Sequence, residues 1–120
     1  MSTALKVPPI TMRSRISAEA IQDVVDQIVQ QFQPLRVVLF GSYASGQTHP
    51  ESDVDLLVVM HTPLRESEQA IQILQKINYR FGLDLIVHTP ENLAQRLDWG
   101  DSFLREITHK GKVMYESTNP

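Results

Sequence analysis

The chain contains no cysteine, which excludes disulfide bonds and thiolate metal sites. Basic residues are not in excess, since the formal net charge is −3 and the pI is about 5.7. A protein that holds DNA or RNA by the phosphates needs a basic stripe, so we expect no nucleic-acid binding. Residues 1–15 contain neither a secretory signal nor a continuous apolar span, so we expect a cytoplasmic protein without membrane association.

Repeats, low-complexity tracts and linkers are also absent. A length of 120 residues suits one domain with one core. We predict a flexible arm over residues 1–15 and a single domain over residues 16–116. A chain of this length leaves no room for a second, substrate-binding domain, so we expect another chain to complete any substrate site that the single domain leaves open.

The pattern of apolar residues predicts an α/β (α+β) domain, with a small mixed sheet and helices packed on it. Ser17 caps the first helix and Pro34 ends it, and a further cap at Thr89 precedes Pro90 at a helix start. The other predicted helices cover about 66–81, 90–97 and 102–109, and the predicted strands cover 36–40, 53–60, 82–88 and 112–116.

A glycine and a serine follow the first predicted strand. Gly41 lets the backbone approach a ligand closely because it has no side chain. Ser42 follows where a short helical turn should start, so its hydroxyl and the free N–H groups nearby can face an anion. We expect Gly41 and Ser42 to bind the phosphates of a nucleoside triphosphate.

Three aspartates form the candidate metal and catalytic site. Asp53 and Asp55 lie on one side of a strand, about 7 Å apart at a rise of roughly 3.3 Å per residue, and repel one another unless a cation bridges them. Asp84 belongs to a neighbouring predicted strand. Oxygen ligands suit Mg²⁺, and three acids can hold two ions roughly 3.5 to 4 Å apart. The pattern indicates metal-dependent nucleotidyl transfer, with Asp84 as the candidate base.

Gly41, Ser42 and the three aspartates resemble the nucleotidyltransferase superfamily of DNA polymerase β and the aminoglycoside nucleotidyltransferases. Over residues 16–116 the chain looks like the minimal nucleotidyltransferases, the antitoxins of HEPN/MNT toxin–antitoxin pairs. The resemblance implies transfer of AMP from ATP to a tyrosine of a HEPN ribonuclease toxin, and a hetero-oligomer with that toxin. Many relatives carry an arginine in the loop after Gly-Ser, whereas residues 43–46 contain none.

Two alternatives remain open at this point. The chain could neutralise a toxin by binding alone, without catalysis. It could instead modify a small molecule such as an antibiotic, provided that a partner domain or a dimer cleft holds the drug.

Two other residues carry expectations of their own. The four histidines lack metal-ligand spacing, and His88, on the same strand face as Asp84, is the one most open to a catalytic role. Trp99 is expected to pack in the core, although tryptophan also anchors many interfaces.

Overall fold

The computed structural model describes residues 15–49 and 51–118. Within them the predicted α/β class is confirmed, whereas the predicted N-terminal arm lies outside the described residues except for Arg15. Among the described residues, none of the helices has the length and hydropathy of a membrane span. The elements, in chain order, are α1 (Ala18–Phe32), β1 (Arg36–Phe40), α2 (Ser42–Ser45), β2 (Val54–Val59), α3 (Glu66–Lys76), β3 (Leu83–His88), α4 (Pro90–Asp98), α5 (Ser102–Lys110) and β4 (Lys112–Glu116).

The four strands form one mixed sheet in the order β3-β2-β1-β4. Strand β1 is antiparallel to both of its neighbours, β2 and β4. Strand β3 runs parallel to β2, and α3 makes the crossover connection that parallel strands require. The sheet therefore places the start of β3 beside the start of β2.

Helices cover both faces of the sheet. Side chains alternate along a strand, so Val37 and Leu39 of β1 face one layer while Val38 and Phe40 face the other. Helices α1 and α3 pack on the first face, where Ile28 and Ile73 are fully buried. Helices α4 and α5 pack on the second. Their buried contacts with that face come from Leu93, Leu104 and Ile107.

Side-chain caps define the helix starts that the sequence predicted. The Ser17 hydroxyl accepts a hydrogen bond from the Ala20 amide at 3.0 Å, and the Thr89 hydroxyl accepts one from the Asn92 amide at 3.1 Å. Each bond satisfies one of the amides that a helix start leaves without a partner. Helix α1 ends at Phe32, and the next residue, Gln33, adopts a left-handed conformation with φ 51° just before Pro34.

Helix α3 ends five residues earlier than predicted, at Lys76 rather than Phe81. The cause is a contact with α1 that occupies both backbone groups of Asn78. Its amide donates to Oε1 of Gln27 at 2.7 Å, and its carbonyl accepts from Nε2 of Gln27 at 2.8 Å. Ile77 is extended and buried, so the chain leaves the helix to fill the core.

We predict that Gln27→Ala lowers the free energy of unfolding by about 1–2 kcal/mol, because both hydrogen bonds to Asn78 are lost. Urea denaturation followed by circular dichroism measures the change. Gln30→Ala is the matched control, since Gln30 is an exposed glutamine of the same helix. Equal stability of the two variants would contradict the role given to Gln27.

Candidate active site

Strand pairing brings two of the three predicted acids together at one end of the sheet. Asp55 is the register partner of Phe40 on β1 and of Asp84 on β3. Directly paired residues project to the same face, which here is the face covered by α4 and α5. The carboxyl groups of Asp55 and Asp84 are close enough to share a hydrogen bond when one is protonated.

Gly41 meets this pair at the end of β1. Its φ of 74° lies in the left-handed region that favours glycine. A Cβ at this position would contact Oδ2 of Asp55 and would lie 3.2 Å from Cγ of that residue. The absence of a side chain at Gly41 therefore makes room for the Asp55 carboxylate.

Asp53 lies just outside the strand that was predicted to start with it, and its role as a metal ligand stays a prediction. It lies one residue before β2, and its carboxylate is packed against Gly82, where an added Cβ would contact Oδ1. Asp53 is exposed and does not line the cavity that Asp55 and Asp84 share. Its charge nonetheless reaches Asp55.

Ser42 begins the short helix α2, as predicted, and is half-buried. Its carbonyl accepts hydrogen bonds from the Gly46 amide at 2.9 Å and from the Ser45 hydroxyl at 3.2 Å. The side chain of Ser42 is not part of the cavity wall, whereas Ser45 and Gln47 are. Gly41 thus lines the cavity, whereas Ser42 does not.

An open cavity of about 930 Å³ lies in front of Asp55 and Asp84, within the size range of small-molecule sites. One wall is α5, which no sequence motif marked as functional. Helix α5 lines the cavity because it packs against the end of β1, which local sequence patterns do not predict. The wall residues from α5 and from the turn that follows it are Phe103, Glu106, Ile107, Lys110 and Gly111.

The acid pair is electrostatically strained. The pKa of the Asp55 carboxyl is raised from 3.8 to about 6, mostly by burial and further by the charge and hydrogen bonding of Asp84 and the charge of Asp53. Each effect disfavours a second negative charge at this point. The site therefore favours a proton or another cation beside Asp55.

The donor set fits a divalent cation of the Mg²⁺ type, because carboxylate oxygens are its preferred ligands and a cation relieves the repulsion within the acid pair. Asp55 and Asp84 already face one another. No group of three or more His, Cys, Asp or Glu side chains in residues 15–49 and 51–118 is arranged to hold a metal ion. The preformed part of such a site is thus the Asp55–Asp84 pair.

His88 lies at the other end of β3 and serves a different cluster. Its Nδ1 is 3.2 Å from Oε1 of Glu66, which also accepts from Nδ2 of Asn92 at 2.8 Å, while Oε2 accepts from the Thr89 amide at 2.7 Å. Burial raises the pKa of Glu66, but these hydrogen bonds and His88 outweigh it and lower the pKa overall. The cluster joins the starts of α3 and α4, away from Asp84.

The expectation that Trp99 packs in the core is wrong. Its side chain is 73% exposed. Trp99 caps the end of α4 and is followed by Gly100 with φ 87°, so the chain turns there towards α5. The α4–α5 layer is filled instead by aliphatic side chains.

This arrangement of strands, glycine turn and paired acids is that of a nucleotidyltransferase. The chain belongs to the nucleotidyltransferase domain family, whose model matches residues 21–114. It is 29% identical over 101 residues to a Methanocaldococcus jannaschii protein named "Putative protein adenylyltransferase MJ0604", covering 81% of this chain and 96% of that protein. A second protein of that organism, "Putative protein adenylyltransferase MJ0141", is 38% identical over 50 residues, or 40% of this chain and 50% of that one.

Two solved structures share the fold. A nucleotidyltransferase structure from Sulfolobus solfataricus, described there as putative, aligns with a TM-score of 0.58 at 19% identity, over 84% of this chain and 81% of that one. A chain of a toxin–antitoxin structure with AMP-PNP aligns with a TM-score of 0.51 at 20% identity, over 81% and 74%. Both confirm the predicted nucleotidyltransferase fold.

We predict that Asp55→Asn raises the free energy of unfolding at pH 8 by about 1 kcal/mol in a chelating buffer. The folded state binds more protons than the unfolded state between pH 3.8 and about 6, so wild-type stability falls as the pH rises through that window. The group is partly exposed, so solvent screening reduces the effect below the full linkage energy.

Urea denaturation at pH 4 to 8 measures this change, and the variant should show a flatter pH dependence. Asp26→Asn, at an exposed position of α1, is the matched control and should follow the wild type. An Asp55→Asn protein less stable than the wild type at pH 8 contradicts the strain assigned to the pair.

Proposed function

We propose that this protein is an antitoxin that transfers AMP from ATP to a tyrosine of a HEPN ribonuclease toxin, releases pyrophosphate, and forms a hetero-oligomer with that toxin. The observation that carries the proposal is the pairing of Asp55 with Asp84 beside Gly41, at the wall of a nucleotide-sized cavity. Membership of the nucleotidyltransferase family supports the kind of reaction.

The comparisons with known proteins support two parts of the proposal, the protein acceptor and the adenine nucleotide. The chain spans 96% of a relative whose name is that of a protein adenylyltransferase, so that relative consists of little beyond this domain. A protein with the same fold occurs in a toxin–antitoxin structure that contains the ATP analogue AMP-PNP. The name of the first relative favours a protein acceptor, and the second structure favours an adenine nucleotide as the substrate.

Two Mg²⁺ ions are the proposed cofactors, with Asp53, Asp55 and Asp84 as ligands. When bound, such ions neutralise the charge of the phosphates and lower the pKa of the attacking hydroxyl. The carboxylate oxygens of Asp55 and Asp84 are the proposed central ligands. Asp53, whose carboxylate contacts Gly82, is the proposed third ligand and lies further from the centre of the site. The backbone at Gly41 and Ser42 is proposed to hold the phosphates of ATP.

In the proposed reaction the tyrosine oxygen attacks the α-phosphorus of ATP. The new bond joins that oxygen to phosphorus, the bond to the β-phosphate oxygen breaks, and pyrophosphate leaves with its electron pair. Asp84 accepts the hydroxyl proton, as its exposed position beside the cavity allows. The cavity wall orients the nucleotide for attack.

Mg²⁺ is predicted to raise the unfolding temperature of the wild type at pH 8, because a cation relieves the repulsion within the acid pair and a ligand that binds only the folded state stabilises it. Differential scanning fluorimetry from 0 to roughly 10 mM Mg²⁺ measures the shift. The Asp55→Asn and Asp84→Asn variants should lose the shift, whereas Asp98→Asn should keep it. An equal shift in all four proteins would count against a site at the pair.

The transferase activity is tested with ATP labelled at the α-phosphate, Mg²⁺ and a HEPN ribonuclease encoded next to this protein. We expect label on a tyrosine of the toxin, located by mass spectrometry. Asp53→Asn, Asp55→Asn and Asp84→Asn should each reduce the rate at least about 100-fold, because each removes a charge that positions the reacting groups. Asp98→Asn, an exposed acid at the end of α4, is the control.

Two results would overturn the proposal in favour of an alternative. If the toxin stays unlabelled and Asp55→Asn still protects cells from it, the protein acts by binding alone. If an aminoglycoside is labelled and the toxin is not, the acceptor is a small molecule.

A further inference from the structure

We propose that α5 binds the nucleotide along the face that lines the cavity, with Lys110 at the polyphosphate and Phe103 against the base. This inference rests on the proposed function, because it assumes that a nucleoside triphosphate occupies the cavity. It assigns binding roles to two residues outside the acid and glycine motifs.

The position of Lys110 follows from the packing of the end of α5 on β1. A Cβ added to Gly111 would contact Cγ1 of Val38 and lie 3.2 Å from the carbonyl oxygen of Leu39. In the antiparallel ladder Leu39 pairs with Lys112, so the preceding residues of this segment lie beside the continuation of β1 at Gly41. The end of α5 is therefore held next to the glycine turn.

The cavity wall carries more negative than positive side chains, so the position of Lys110 matters for binding a triphosphate. The described residues that line it include three acids, Asp55, Asp84 and Glu106, and a single cationic side chain, Lys110. A triphosphate entering such a cavity is repelled by the acids unless cations oppose them. The residues of the turn from Gly41 to Gly46 supply no basic side chain, so Lys110 is the cation that the protein itself brings to the wall.

Phe103 offers an aromatic surface at the other end of the helix face. It is 54% exposed, yet its ring is fixed edge-to-face on Phe40 at 5.8 Å between ring centres. Lys110 lies seven positions further along the helix, which is about two helical turns or roughly 10 Å at 1.5 Å per residue. An extended nucleotide can reach both, and an exposed aromatic ring is a stacking platform for a base.

The test is isothermal titration calorimetry of AMP-PNP and of AMP, in Mg²⁺ buffer, with each purified variant. Lys110→Gln should weaken AMP-PNP binding about tenfold, as expected for loss of a hydrogen bond to a charged group, and should change AMP binding less than about twofold. Phe103→Leu keeps the apolar bulk and should weaken both ligands by a similar factor of about ten, because both carry the base.

Lys112→Gln is the matched control, since it removes the same charge two residues away at an exposed position outside the cavity wall. Lys110→Arg should restore AMP-PNP binding. Unchanged thermal unfolding of the variants excludes loss of folding as the cause. Wild-type AMP-PNP affinity in Lys110→Gln, or in Phe103→Leu, overturns this inference alone. A wild type that binds neither ligand overturns the proposed function as well.

Discussion

The repulsion between Asp55 and Asp84 is the constraint on which the site depends. Register pairing of two parallel strands places both carboxyl groups on one face, and the partial burial of Asp55 prevents water from fully screening its charge. Such a pair costs stability, and the sheet holds it because β2 pairs with β3 on one side and with the whole of β1 on the other. A stable framework that maintains an unfavourable charge arrangement is a common property of functional sites.

The two glycines beside the acids, Gly41 and Gly82, leave the space that the carboxylates occupy. Both Gly41 and Gly82 lie where a side chain would meet a carboxylate, so the backbone closes around the acids without displacing them. Hydrophobic packing elsewhere is conventional, with helices on both faces of the sheet. The specific geometry of the site therefore comes from a few backbone positions rather than from an unusual core.

Much of this fold follows from local patterns. The apolar run Arg36–Phe40, the caps Ser17 and Thr89, and the period-two spacing of Asp53 and Asp55 depend on neighbours in the chain, and the structure agrees with the element boundaries they predicted to within one or two residues. The pattern also predicted that Asp84 lies on a neighbouring strand, and the register pairing of Asp84 with Asp55 agrees.

Other features depend on contacts between distant segments, which a single sequence does not reveal. Helix α3 stops at Lys76 because Gln27, some fifty residues earlier, binds the backbone of Asn78. Helix α5 lines the cavity only because it packs on β1, a contact between distant segments. No local sequence pattern therefore marked Lys110 as a site residue. Asp53 lies one residue before β2, and its carboxylate contacts Gly82 instead of lining the cavity.

Strand β3 is the outermost strand of the sheet on its side, and Asp84 lies exposed near its start. An acid in that position is accessible from outside the sheet, so a large folded molecule can bring one of its surface groups to it without threading through a narrow channel. The position of Asp84 on an edge strand thus places little restriction on the size of the molecule to be modified. Selectivity must then come from how well the two surfaces fit.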